Sequence, residues 1–128
     1  IQRYALDLTA LTAGPAQKLV SLTGYGKGHW SRSLAIDPKA KKLYVSVGSG
    51  SNVDPGDPDN RAAINVYNLD GSGHEIFATG LRNPVSIGFH PASRTLWTTC
   101  QERDGLGDDL VPDFFTSLKR GAFYGWPY

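Results

Sequence analysis

Two stretches 53 residues apart constrain this chain more than anything else in it. "SLAIDPKAKKLYVSVG", from Ser33, aligns without gaps on "SIGFHPASRTLWTTCQ", from Ser86. Each reads as a short apolar strand, an Asp-Pro or His-Pro turn, small or basic residues, then Leu-aromatic at the head of a second strand. A fainter echo joins "RYALD" from Arg3 to "VYNLD" from Val66. Along the chain the order becomes strands C and D, then A, B, C and D, then A, B and the start of another C. Four strands recurring every ~40–50 residues mark a β-propeller blade, a small sheet that buries its faces only against its neighbours around a channel.

The punctuation agrees. The 15 glycines and 8 prolines interrupt the sequence every few residues, and the runs between them are short and rich in β-branched and aromatic residues. Strands are predicted at 2–7, 18–22, 33–36, 42–47, 62–68, 75–79, 85–89 and 95–100, with no strong helical period between them. The expected fold class is all-β, a β-propeller of which about two and a half four-stranded blades are visible, against the ~4–8 of a closed ring. Residues 1–22 form the end of one blade, 33–81 one full blade and 85–128 the start of the next. The chain begins at Ile1 rather than methionine, and the reading is of an internal fragment without a visible signal peptide.

Composition removes several classes of partner. Thirteen basic and 12 acidic residues leave a net charge of +1, with no basic run interleaved with stacking aromatics, so no nucleic-acid partner is expected. No stretch approaches the ~18 apolar residues of a membrane helix. The single cysteine, Cys100, excludes a disulfide framework and a cysteine-rich metal site within the chain, and it reads as a small buried hydrophobe.

Two longer excursions break the rhythm: "TGYGKGHWSR" at 23–32 and "SGSNVDPGDPDNR" at 49–61. In a propeller, D-to-A and B-to-C connections open on one face beside the channel, so His29, the 49–52 turn, Arg82 and Asn83 should gather there. Taken alone, Arg82 and Asn83 read first as a solvated turn, and His29 as a surface histidine. "DPGDPDN" lacks the glycine and glutamate of an EF-hand and reads as a turn. His74 and His90 read as structural, and "FYGWPY" as aromatic packing between blades.

The motif "GLRNPVSIGFHP", followed by "ERDGLGDDLVPDFF" and "GAFYGWPY" and preceded by "GHWSR" and "LYVSVGSGSNV", resembles the quinoprotein sugar dehydrogenases. These are the soluble glucose dehydrogenase-like enzymes, and the match is to the sorbosone or pyranose dehydrogenase branch. The resemblance covers nearly the whole chain. It implies a six-bladed propeller holding pyrroloquinoline quinone (PQQ) and Ca²⁺ at its channel mouth. It also implies oxidation of an aldose or aldehyde hydrate at C1, with electrons passed to an external acceptor such as a quinone, cytochrome or dye. A periplasmic or extracellular location goes with it.

By the same resemblance His29 is the general base, and Arg82 and Asn83 contact the quinone, Arg82 in a catalytic role. Ser51, Asn52 and Arg32 are further cofactor candidates; an ion pair with Asp37 or a neighbouring loop accounts for Arg32 equally well. Calcium falls on the backbone carbonyls of Arg103, Asp104 and Gly105, with Asp109 as a supporting carboxylate. The glucose-dehydrogenase pattern carries Gly-Pro there, where this chain reads "QERDGLGDD". It also carries an acidic residue at the position of Gly28, implying a different sugar preference.

These residue types suit the chemistry. Hydride loss from a hemiacetal carbon requires its hydroxyl proton to leave, and a neutral imidazole accepts it near pH 7. Gly24, Gly26 and Gly28 would let the backbone approach a planar cofactor. A guanidinium stabilises charge building on a quinone oxygen, and Ca²⁺ polarises the same edge. Two other readings stay open. One is a propeller hydrolase of the lactonase type, with a metal held by carboxylate and Asn ligands; the other is a non-catalytic propeller that binds a partner.

Overall fold

A computed structural model describes residues 1–25 and 28–128. Gly26, one of the three glycines expected beside His29, and Lys27 lie outside the described residues. Among the described residues there is no helix. The strands are β1 (Gln2–Arg3), β2 (Leu6–Asp7), β3 (Thr12–Ala13), β4 (Gln17–Lys18), β5 (Leu34–Asp37), β6 (Lys42–Val47), β7 (Ala63–Asn68), β8 (Glu75–Thr79), β9 (Asn83–Phe89), β10 (Leu96–Gln101) and β11 (Phe114–Ser117).

Strands β5-β6-β7-β8 form one antiparallel four-stranded sheet in sequence order, and β9-β10-β11 a second sheet of three. Ahead of them a long hairpin pairs β1 with β4 and β2 with β3. The architecture is all-β, with sheets that do not close on one another: a partial β-propeller.

The middle sheet shows why a propeller is the stable arrangement. Its β6 and β7 carry almost no polar alternation because both faces are covered. Leu43, Val45, Val47 and Tyr67 pack with Val20 from the first hairpin. Tyr44, Ile64, Val66 and Ala78 pack on the opposite side with Leu96 and Cys100 of the next sheet. Each Leu, Val or Ile among them, taken fully out of water, stabilises by about 1.5–3 kcal/mol. Tyr44 fastens this second interface edge-on, with its ring 5.2 Å from Phe77 in its own sheet and 5.4 Å from Phe89 in the next. The outward faces of the end sheets stay open: Leu8 and Leu11 are 80% and 86% exposed, and Phe115 is 67% exposed.

The repeat has a local cause. The Asp7, Asp37 and His90 side chains each accept a backbone N–H two or three residues on, and the fourth residue after each turns left-handed, with φ of 53° at Leu11, 53° at Lys41 and 61° at Arg94. Asx-type turns of this kind let a short polar side chain replace a ladder partner. The same chemistry therefore shapes three hairpins, one of them in the fainter echo.

Four expectations are corrected. The strand expected at 18–22 is displaced toward the N-terminus: pairing runs through Thr12–Ala13 and Gln17–Lys18, after which Val20 turns into the core. The strand expected at 2–7 is two short pieces. Ladder bonding starts at Asn83, two residues before the strand expected at 85–89, because Asn83 and Pro84 pair with Gln101 and Cys100 across a bulge. The "FYGWPY" run packs less than expected. Tyr124 joins the core, but Phe123 and Tyr128 are exposed, since this segment runs beside β8 through a parallel bridge from Thr79 to Phe123.

Candidate functional site

His29 is placed by glycines. Gly28 has φ +71°, and a Cβ there would lie 2.2 Å from the Gly50 carbonyl oxygen, so the loop before β5 rests backbone on backbone against the turn after β6. Gly48 is the second close approach: a Cβ on it would meet the His29 Cβ at 2.6 Å and Asn83 Oδ1 at 2.8 Å. Only glycine leaves the imidazole and the amide that near each other.

The ring orientation follows from hydrogen bonds. His29 Nδ1 lies 3.1 Å from the Ser49 carbonyl and 3.0 Å from Ser49 Oγ. The carbonyl only accepts, and Ser49 Oγ gives its one proton to the Ser51 carbonyl at 2.7 Å. Nδ1 therefore carries the proton, and Nε2 is left with its lone pair. Burial first, and then the Arg82 charge, hold His29 below the ordinary imidazole value, against the Ser49 backbone contact and Asp104, which raise it, with Arg61 adding to the depression. The ring is thus kept neutral with its basic nitrogen unengaged among the described residues.

Arg82 is the largest fully buried side chain, 1% exposed. Its Nε donates to the Asn52 carbonyl at 3.1 Å, and Nη2 donates to Asn52 Oδ1 at 2.6 Å and Asp104 Oδ2 at 2.8 Å. Nη1 donates to the carbonyls of Gln101 and Glu102. A guanidinium has five N–H donors, and all five meet acceptors of this chain. The Trp126 ring lies 5.8 Å from the guanidinium carbon. Asn52 and Asp104 are also joined to each other, side-chain amide to backbone amide in both directions, at 3.0 and 2.8 Å. Asn83 is buried beside them: its Nδ2 donates to Gln101 Oε1 at 2.9 Å, and its Oδ1 has no partner among the described residues.

A family model described as TrAA12-like matches residues 1–111. The chain belongs to the TrAA12-like family. A curated relative, an uncharacterized protein of Borreliella burgdorferi, is 38% identical over 101 residues, covering 78% of this chain and 26% of the relative. In fold, this TrAA12-like chain is similar to the iodide structure of Trichoderma reesei Carbohydrate-Active Enzymes Family AA12 (TM-score 0.78, 21% identity, 97% of this chain and 37% of that one). It is also similar to the holo form of the pyranose dehydrogenase PQQ domain from Coprinopsis cinerea (TM-score 0.70, 22% identity, 90% and 31%). The chain thus spans about a quarter of the curated relative and less than two fifths of these structures.

Within the TrAA12-like chain the predicted site residues have these positions. His29, Asn52, Arg82, Asn83 and Asp104 adjoin one another on the loop face. Ser51 bonds within its own loop: its carbonyl takes the Ser49 hydroxyl and its own hydroxyl accepts the Asp54 N–H at 2.6 Å. Arg32 braces the His29 loop, donating to the carbonyls of His29, Ser31 and Tyr25, while Asp37 pairs with Arg94 at 3.5 Å. Arg103, Gly105 and Asp109 lie exposed on the loop between β10 and β11. Among the described residues no cluster of three or more His, Cys, Asp or Glu is placed to hold a metal. Gly28 answers to its left-handed backbone and the nearness of Gly50, a steric reason independent of sugar preference.

Sequence reasoning placed the 49–52 turn here but not Ser49 as the partner of His29, and it missed Arg61. Buried Arg61 donates to the carbonyls of Gly48 and Ser49 and lies 3.6 Å from Asp57, whose other contact is the Gly50 N–H at 2.7 Å. The "DPGDPDN" segment is therefore a brace for the turn that holds His29. The available signal was Arg61 closing a loop otherwise lacking cations.

For PQQ the fit is uneven. His29 offers an unengaged nitrogen, whereas Arg82 has all five donors engaged within the chain and Asn83 gives an N–H to Gln101, and both are buried. As direct contacts to a planar, multiply anionic cofactor, Arg82 and Asn83 do not fit this arrangement.

Proposed function

We propose that the chain is part of a PQQ-dependent oxidoreductase acting on a sugar or related aldehyde hydrate, with His29 as general base. Membership in the TrAA12-like family supports the class of reaction. The observation that carries the role of His29 is its tautomer: Nδ1–H fixed by Ser49, Nε2 open. PQQ, when bound, would supply the two-electron acceptor. His29 would take the hydroxyl proton at Nε2 as the hydrogen leaves the substrate carbon with its electron pair, leaving a carbonyl product and an imidazolium. The positive charge formed would sit close to buried Arg82, so the ring would release its proton readily to solvent for the next turnover. Calcium is proposed at the carbonyls of Arg103, Asp104 and Gly105 with Asp109 beside them; the Asp104 carbonyl keeps one lone pair beyond its bond from Asn52. An external electron acceptor and a periplasmic or extracellular setting complete the reading.

The test uses the full-length polypeptide, titrated with PQQ, Ca²⁺ and then EDTA while the quinone absorbance is followed before and after aldoses are added. Stoichiometric calcium-dependent uptake, bleached by a sugar and at least ~10²-fold more slowly in His29→Ala, is the expected result. No uptake refutes the reading and puts the lactonase-type hydrolase or the partner-binding propeller in its place.

A further inference from the structure

We infer that Arg82, with Asn52 and Asp104, is a clasp that fixes the 49–52 turn and through it the His29 ring, and is not a contact to a bound cofactor. Arg82 touches both ends of that turn. Its backbone carbonyl accepts the Ser49 N–H at 2.7 Å, and its side chain takes the carbonyl and the amide oxygen of Asn52. Ser49, held there, presents both acceptors of His29 Nδ1. On the far side the guanidinium is closed by Asp104, Gln101, Glu102 and the Trp126 ring.

Geometry argues against a second use. The side chain is 2% exposed while its carboxylate partner is 82% exposed, so the open surface beyond the clasp is Asp104, not Arg82. Turning the guanidinium toward a ligand would break its bonds to the carbonyls of Asn52, Gln101 and Glu102, and a buried guanidinium loses the partners of its donors at a cost. The reciprocal amide pairing of Asn52 and Asp104 ties the loop after β6 to the loop after β10. Adjacent sheets are thereby joined at the site as well as in the core.

The test reads the protein without cofactor or substrate, so it stands or falls separately from the redox proposal. In the full-length polypeptide, ¹⁵N spectra of the His29 ring and amide exchange are compared for wild type, Asn52→Ala, Asp104→Asn and Arg82→Lys. The wild-type ring is expected to be a single Nδ1–H tautomer. In Asn52→Ala and Asp104→Asn the ring becomes a tautomer mixture, and protection of the Ser49 and His29 amides falls at least about tenfold while the Val45 and Val66 amides keep theirs. A general loss of stability would instead lower all four together and overturn the inference. So would an unchanged His29 ring and unchanged Ser49 exchange in those two variants. If Arg82→Lys does not fold, the other two variants decide.

Discussion

Replacing Gly28 by alanine isolates the contact that places His29. The residue sits at φ +71°, and the new Cβ would be 2.2 Å from the Gly50 carbonyl oxygen. A left-handed backbone costs an L-residue roughly 1–2 kcal/mol. The collision adds to this, because the opposing atom is backbone and no rotamer relieves it. Reaching an ordinary contact of ~3.5 Å requires the two loops to part by about 1 Å. That displacement falls on the atoms that carry the His29 Nδ1–Ser49 hydrogen bonds, already 3.0 and 3.1 Å long, and takes them beyond bonding range. A misplacement of about 1 Å at a reacting group costs on the order of 10²-fold in rate. Gly24→Ala is the control, since it also has positive φ (+99°) but meets nothing within 4 Å. Urea unfolding should show both variants losing the conformational term, while only Gly28→Ala releases the His29 tautomer and, under the proposed function, loses sugar oxidation. If the two variants leave the His29 ring equally ordered, the reasoning from close packing is wrong.

Three further outcomes are expected. Val45→Ala empties a fully buried position between the first hairpin and the middle sheet. It should cost about 2–3 kcal/mol of unfolding free energy with an unchanged denaturant slope. Because burial and Arg82 lower the His29 pKa, the neutral ring persists below the ordinary ~6.5. Its contribution to stability is present above the unfolded value and is lost as pH falls through the folded one, and the acid limb of turnover should lie below that of a free imidazole; a limb above ~6.5 would contradict this. Asp104→Asn removes a charge that raises this pKa and should move the limb further toward acid. The Cys100 thiol, fully buried and pushed up to about 12 from 9.0, holds about 10³-fold less thiolate near neutrality than an ordinary cysteine, so alkylation in the native state should follow unfolding, and rapid labelling would show an open path to β10.

Much of the fold was legible because its causes are local. The repeat from Ser33 to Ser86 encodes an apolar strand, a turn residue that caps its own backbone, and a second strand, and each piece has a signature readable without the rest. Strand 42–47 was found to the residue because Lys42 and the glycine at 48 bracket it. The strand expected at 18–22 went astray because Leu19, Val20 and Leu22 are apolar for a different reason: they cover the middle sheet from outside any ladder. Phe114–Ser117 went undrawn because its partner β10 lies beyond a loop that carries no strand pattern of its own. At the site, the loop face was inferable from topology and drew His29, Arg82 and Asn52 together. The partners of each were not inferable. Ser49 is one of five serines between positions 31 and 51, and only three-dimensional placement shows its hydroxyl donating to Ser51 while receiving from His29. Arg82 drew attention as a charge; that all five of its donors are met within the chain is a fact of packing.

The two halves of the molecule are stabilised by unlike forces, and this shapes what substitutions do. In the sheets, apolar contacts are redundant and non-directional, so a lost methyl group weakens the whole without redirecting any one atom. On the loop face a single carbonyl, that of Ser49, receives the His29 amide, the His29 ring and Arg61, while the Ser49 amide donates to Arg82. Each bond there is modest alone, but each shares an atom or a residue with the next, and removing one leaves a buried group unsatisfied. Order at His29 is consequently a collective property of Gly28, Gly48, Ser49, Asn52 and Arg82. A change at any of them should be felt at Nε2 well before it is felt in the sheets.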